Sequence, residues 1–342
     1  MKNSYRIEKI DPLTYTAEDW KRYYDFRVKS YALMNEPMTF DSVEELKELN
    51  TKNIKENGDE LYIVWKNERE NGMLYFDIEF KDDLKKRFTC LNNLMVDQYL
   101  EANLLEMMFE KFLDYDETSN SLAIDSKEGM NDYIADHFGA YVGAIEEFYE
   151  LKVKETNIEK INTWLAEAPT KFPNLRIAFY KNIPDDLLEE FATVFTQFLS
   201  DMPASSELGE MVVTAEGTKS NQEAWKLRNY CAYRYFIFNE DNQLIAITNV
   251  SVNLKQPQEV HQYMTGVMEK YRGRGLSKWL KAAMFKKLTA DFPELDKIET
   301  ETHPENHASR ELSKQMGYKR MGSKKEFLID RTTIIKHLRE SG

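Results

Sequence analysis

Cysteine is scarce: Cys90 and Cys231 are the two in 342 residues. Two thiols are too few for a disulfide framework or for a zinc site built from cysteine, so each reads as a small buried apolar side chain in a reducing compartment. No stretch nears the ~20 consecutive apolar residues of a membrane span, and runs such as Leu244 to Val250 are short and strand-like. Met1 to Leu13 alternates charged with apolar residues and lacks the apolar block of a signal peptide. These absences lead us to expect a cytoplasmic protein. Positive charge is in deficit, with 46 Lys and Arg against 59 Asp and Glu, a net of −13. That balance repels nucleic-acid phosphate and anionic lipid at long range, so neither nucleic acid nor a membrane is an expected partner. Of five histidines, His303 and His307 alone have helical i, i+4 spacing, and no zinc-protease carboxylate pattern surrounds them. No metal is expected.

What is present belongs to a folded chain. Hydrophobic residues make up 42% and charged residues 31%, far from the composition of disorder, and the length favours two domains. The first half reads as a strand (Tyr5 to Ile10), two helices (Asp19 to Leu33, Ser42 to Lys55), a hairpin around Asn67 to Gly72, and a strand, Phe88 to Val96. The helix Leu100 to Leu113, the strand Ser121 to Ile124, the helix Met130 to His137 and the strand Val142 to Leu151 follow. The second half repeats this order from Leu175 to Ile329. It comprises a strand, the helix Asp185 to Leu199, a hairpin around Asn239 to Asn242, and the strand Val260 to Met268. The helix Leu276 to Leu288, the strand Lys297 to Thr302, the helix Glu305 to Gln315 and a closing strand complete it. We therefore expect two copies of one α/β unit, spanning 1–155 and 174–342, joined through 156–173.

The most specific segment runs from Met264 to Ser277, a strand passing through Lys270-Tyr271-Arg272-Gly273-Arg274-Gly275 into a helix. Glycines here let successive backbone N–H groups turn toward one anion, and the helix start adds unpaired N–H groups and a positive dipole end. The loop also suits a plain tight turn with solvated arginines. It lacks the third glycine of a dinucleotide loop and the Gly-Lys-Ser/Thr of a P-loop. Leu276, Trp279, Leu280, Ala283, Met284 and Leu288 place one apolar stripe on the helix.

This segment resembles the GCN5-related N-acetyltransferase (GNAT) superfamily, particularly its tandem, mycothiol synthase-like members. Lys270 to Gly275 matches the family's Gln/Arg-x-x-Gly-x-Gly/Ala pyrophosphate loop, with Lys in first place, and Asn306 through Met316-Gly317-Tyr318 matches its Asn-led helix ending in Gly-Phe. The resemblance covers about Ala232 to Ile329. It implies two tandem α/β (α+β) domains, each a mixed, mostly antiparallel sheet flanked by helices. It also implies acetyl-CoA lying in a split of the sheet beside Gly266 to Met268, bound through Arg272, Gly273, Arg274, Gly275, Leu276, Ser277 and Asn306.

The reaction so implied is direct attack of a small amine on the thioester, with the backbone N–H of Val267 or Met268 stabilising the oxyanion. Members of that family often place a Glu base six residues before the position matching Val267, and here His261 stands there instead; Glu301 on the neighbouring strand is the reserve, and either also suits an ordinary strand residue without a role. The family's acidic Tyr falls on Ser313, which leaves thiolate protonation to water, Tyr318 or Tyr263. In the first half the matching stretch, Leu94 to Asn103, has no glycine or arginine and carries Asp97 and Glu101, so that half is not expected to bind CoA. Two other classes remain: a non-catalytic acyl-CoA-binding or protein-interaction module, and aminoacyl transfer from tRNA, which the charge balance opposes.

Overall fold

The computed structural model describes residues 5–34, 42–56, 60–66, 69–81, 86–95, 102–115, 121–127, 133–202, 212–227 and 229–341. The chain begins with β1 (Tyr5–Lys9), α1 (Ala17–Met34), α2 (Val43–Glu56), β2 (Glu60–Lys66), β3 (Arg69–Lys81) and β4 (Lys86–Met95). It continues through α3 (Ala102–Tyr115), β5 (Ser121–Lys127), α4 (Tyr133–Phe138) and β6 (Tyr141–Lys152). After α5 (Ile158–Lys171) the order recurs as β7 (Arg176–Tyr180), α6 (Leu188–Ser200), α7 (Ala215–Leu227), β8 (Tyr230–Phe238), β9 (Leu244–Asn253) and β10 (Glu259–Val267). Then come α8 (Leu276–Asp291), β11 (Lys297–Thr302), α9 (His307–Met316), β12 (Lys319–Asp330) and α10 (Arg331–Ser341).

Two compact units form, one chiefly from Met1–Ala144 with Lys324–Gly342, the other from Ile145–Ser205 with Glu210–Ser323. Each sheet is completed by a strand from the opposite half of the sequence. In the first unit β12 lies antiparallel to β5, with Phe327 opposite Ile124. In the second, β6 lies antiparallel to β11, with Glu299 opposite Glu150. The units therefore do not follow the expected segments 1–155, 156–173 and 174–342, because a strand is held by ladder bonds to whichever edge it meets, near or far along the chain. Within the stretch expected to join the halves, α5 is a helix of the second unit, capped by Asn157 and burying Ile161 and Ala168.

The first unit is a mixed sheet in the order β1-β2-β3-β4-β5-β12, with β4 and β5 parallel over Thr89–Leu91 and Leu122–Ile124. Its core includes Phe109, Phe112, Ile124 and Phe327. Asp97 and Glu101 lie outside the described residues.

The second unit has the order β6-β11-β10-β9-β8-β7. One face packs α5 and α8 through Ile161, Ala282, Phe285 and Leu288 against Val250, Val260 and Ile298. The opposite face packs α6 through Phe191, Val194 and Phe198 against Phe236 and Ile247. Burial of such side chains contributes roughly 1.5–3 kcal/mol each and fixes the sheet between two helical layers. Among the described residues, no helix is long and apolar enough to cross a membrane.

Candidate functional site

Strands β10 and β11 are parallel neighbours for four residues, from Glu259 opposite Lys297 to Gln262 opposite Thr300. Beyond Gln262, β10 runs on to Val267 paired only with β9, so the sheet splits. The ladder decides which amides face the split. The Met268 N–H donates to the Ile245 carbonyl at 2.8 Å, so this group, one of two expected oxyanion donors, is already engaged. Successive residues of an antiparallel strand point their bonding groups to opposite sides, which turns the Val267 N–H away from β9 and into the split.

The segment after β10 is built as the glycines require. Gly273 and Gly275 adopt φ of +74° and +98°, in the left-handed region. A Cβ added to either would meet nothing within 4 Å, so the space above the loop is open on the protein side. The N–H groups of Gly273, Arg274, Gly275, Leu276 and Ser277 have no acceptor among the described residues. Leu276 is buried in the core and offers only its amide. These amides and the start of α8 form a concave donor array of the kind that holds an anion.

The nearby cations divide into two sorts. Arg272 is tied down, its Nε donating to the Val267 carbonyl at 2.9 Å and its guanidinium paired with Asp201. It holds the strand end to the loop. Arg274 donates to the Lys270 carbonyl at 3.0 Å and, like Lys270, lies over the Tyr271 ring; neither has a carboxylate partner among the described residues. Asn306 caps α9, its Oδ1 accepting from the Ser309 N–H at 3.1 Å, and Gly317 ends that helix at φ +103°.

The catalytic candidates fall on two faces of the sheet. The strand is bulged: the register shifts between Gln262 and Thr265, so Gln262 and Thr265 face the same side. The six-residue count to His261 therefore spans a bulge, and because one extra residue reverses the alternation of side chains, His261 faces opposite to Val267. His261 consequently shares the α6 face with Glu299, its cross-strand neighbour, and with Glu301 two residues on. It is half-buried, 4.5 Å in ring separation from Tyr263, which contacts Trp225 of α7. Burial pushes the imidazole below its ordinary range, and the Glu299 and Glu146 carboxylates oppose that shift. Neutral imidazole is thereby favoured near pH 7.

On the α8 face, Tyr318 is buried and donates to Gln262 Oε1 at 3.1 Å; burial raises its phenol. Gln262 Nε2 donates to Thr248 Oγ1 and Thr265 Oγ1, both at 3.1 Å. The structure thus gathers His261 and Glu301 on one side of the split and sets Tyr318 on the other. Gly266, expected to admit a ligand backbone, instead faces the Phe198 ring, which would lie 2.2 Å from an added Cβ.

The acetyltransferase (GNAT) family model matches residues 202–318. That segment is a GNAT domain. The whole chain has the tandem GNAT fold. It superposes with TM-score 0.69 on a tandem GNAT protein of the clavulanic acid biosynthesis pathway, at 14% identity, over 96% of this chain and 99% of that one. A GCN5-related N-acetyltransferase from Sphaerobacter thermophilus matches with TM-score 0.62 at 11% identity, over 96% of each. A glucosamine N-acetyltransferase region of a fungal multi-domain β-N-acetylglucosaminidase gives 0.59 at 11% identity, over 96% of this chain and 38% of that. No curated protein sequence matches.

Sequence patterning did not pick out several residues of this GNAT domain. Helix α7 was not expected; its Gln222 accepts from the Ile183 N–H at 2.6 Å and from the buried Arg234. Ser313, which the resemblance places at the position of the acidic Tyr, is fully buried on α9, with its Oγ lacking a partner among the described residues. Lys281 is 4% exposed within α8. Among the described residues there is no cluster of side chains able to hold a metal ion.

Proposed function

We propose that the protein is an acetyl-CoA-dependent N-acetyltransferase acting on a small amine, with the donor held by the loop between β10 and α8. The single observation behind this reading is the pairing of a split, one residue past Gln262, with the row of unpartnered amides from Gly273 to Ser277. The amides, with Lys270 and Arg274 alongside, suit a diphosphate; the open edge of β10 suits the amide-bearing pantetheine arm, which pairs like a short strand. Acetyl-CoA supplies the acyl group as a thioester, whose thiolate is a fair leaving group.

The residues of this chain then have separate tasks. The Val267 N–H stabilises negative charge developing on the carbonyl oxygen. His261, kept neutral by burial, takes the proton of the attacking nitrogen from the α6 face, with Glu301 as the reserve base. Tyr318 lies on the opposite face, where the sulfur departs. Glu146, Glu299 and Glu301 share the acceptor side and favour a cationic amine. The donor and an amine panel, mixed with the protein and followed by thiol release, test this directly; silence across the panel despite CoA binding contradicts catalysis. That outcome is the second reading, a non-catalytic acyl-CoA-binding module, and it draws on Ser313 standing where an acidic hydroxyl would be.

A further inference from the structure

A lysine inside a helix core is expensive unless a charge meets it, because removing an ammonium from water costs far more than its stem gains by burial. Lys281 is such a residue: it is 4% exposed, and no carboxylate of the described residues pairs with it. Its neighbour is an aromatic face, with Nζ 5.4 Å from the centroid of the Tyr318 ring. The Tyr318 hydroxyl in turn donates to Gln262 Oε1 at 3.1 Å, and Gln262 is the last residue of β10 paired to β11 before the split. A cation, a ring and an amide are therefore linked pairwise from α8 to the last pair of β10 and β11 before the split. The ring's negative face partly supports the ammonium but does not replace an anion. The one position nearby where the chemistry generates an anion is the split itself.

We propose that the Lys281 ammonium is the counter-charge for the thiolate released in the split, the task left open by Ser313 in place of an acidic side chain. The proposal rests on the reading of the split as the thioester site. As the new C–N bond forms, the C–S bond breaks and its electron pair stays on sulfur; the acceptor's proton goes to His261, and Lys281 offsets the sulfur's charge. Burial has pushed Lys281 down to about 8, near the ~8.5 of an ordinary thiol, so it can also pass its proton to sulfur and regain one from water.

The test is ultraviolet titration of the CoA thiol bound to the full-length protein, in wild type and Lys281→Met, with desulfo-CoA calorimetry as a control for binding. An opposite charge close by favours the thiolate, so wild type should hold at least about tenfold more bound thiolate than Lys281→Met at pH 7. Desulfo-CoA should bind both equally. Lys281→Gln, scored in the same titration, guards against a packing effect of the thioether. Equal titration in all three proteins overturns the assignment while leaving the CoA site intact. Acetylation of Lys281 Nζ, found by peptide mass after incubation with acetyl-CoA, also overturns it. A wild-type protein that fails to bind desulfo-CoA removes the underlying reading of the loop and this assignment together.

Discussion

Substitution of Gly273 separates the needs of the loop from those of its ligand. The residue sits at φ +74°, and an added Cβ would touch no protein atom within 4 Å. Conformational strain is then the only cost to the fold, about 1–2 kcal/mol for an ordinary L-residue in the left-handed region. Asparagine tolerates that region better than most residues, so Gly273→Asn should fold with nearly normal stability. Gly273→Asp has almost the same shape but adds a negative charge. If the amides from Gly273 to Ser277 face a diphosphate, that carboxylate lies near ~4 Å from like charge. The repulsion is then about 1 kcal/mol at the dielectric of water and about 4 kcal/mol at an effective constant near 20. CoA affinity should therefore fall about five-fold to several hundred-fold further in Gly273→Asp than in Gly273→Asn, and the gap should shrink with added salt. Isothermal titration calorimetry with CoA measures both proteins. Equal affinities for the two variants would refute the placement of the phosphates.

Three further outcomes follow from individual contacts. His261 should titrate with a midpoint below its ordinary ~6.5, seen by NMR of its ring protons, and His261→Ala should lower kcat by roughly a hundred-fold or more with little change in donor affinity; normal kinetics would pass the task to Glu301 or water. Gly266→Ala should destabilise the protein by about 1–3 kcal/mol in urea, because its Cβ would lie 2.2 Å from Phe198 Cδ2, and Phe198→Leu in the same chain should recover part of the loss. Lys281 is lowered to about 8 in the fold against ~10.4 in an unfolded chain, so the unfolded state binds more protons between those values. Stability should then rise by about 3 kcal/mol as pH climbs from 8 towards 10.4, a rise missing from Lys281→Met; matching pH profiles would show that Lys281 is solvated.

Sequence periodicity made the local frame of the site legible and left its non-local parts hidden. Gly273, Gly275 and Gly317 marked the loop and a helix end, and each has the positive φ that only glycine adopts cheaply. The apolar stripe from Leu276 to Leu288 marked α8, yet α8 is buried on two sides, against the sheet and against Ile161 of α5. A single stripe therefore missed Ala282, Phe285 and Lys281. Helix α7 escaped because its sequence is polar and contains Gly217, so no clear apolar face announces it. The bulge at Gln262 to Thr265 carries no proline and has Gly266 just beyond it; it follows from the pairing with β9. Likewise β6 and β12 read as strands, but nothing in a strand's own residues names the distant edge it joins.

The most direct test is a crystal structure of the full-length protein with CoA. The account predicts diphosphate oxygens within about 2.7–3.2 Å of the amides between Gly273 and Ser277, and the sulfur in the split beside Val267. CoA seated elsewhere, with those amides turned to solvent, would contradict it.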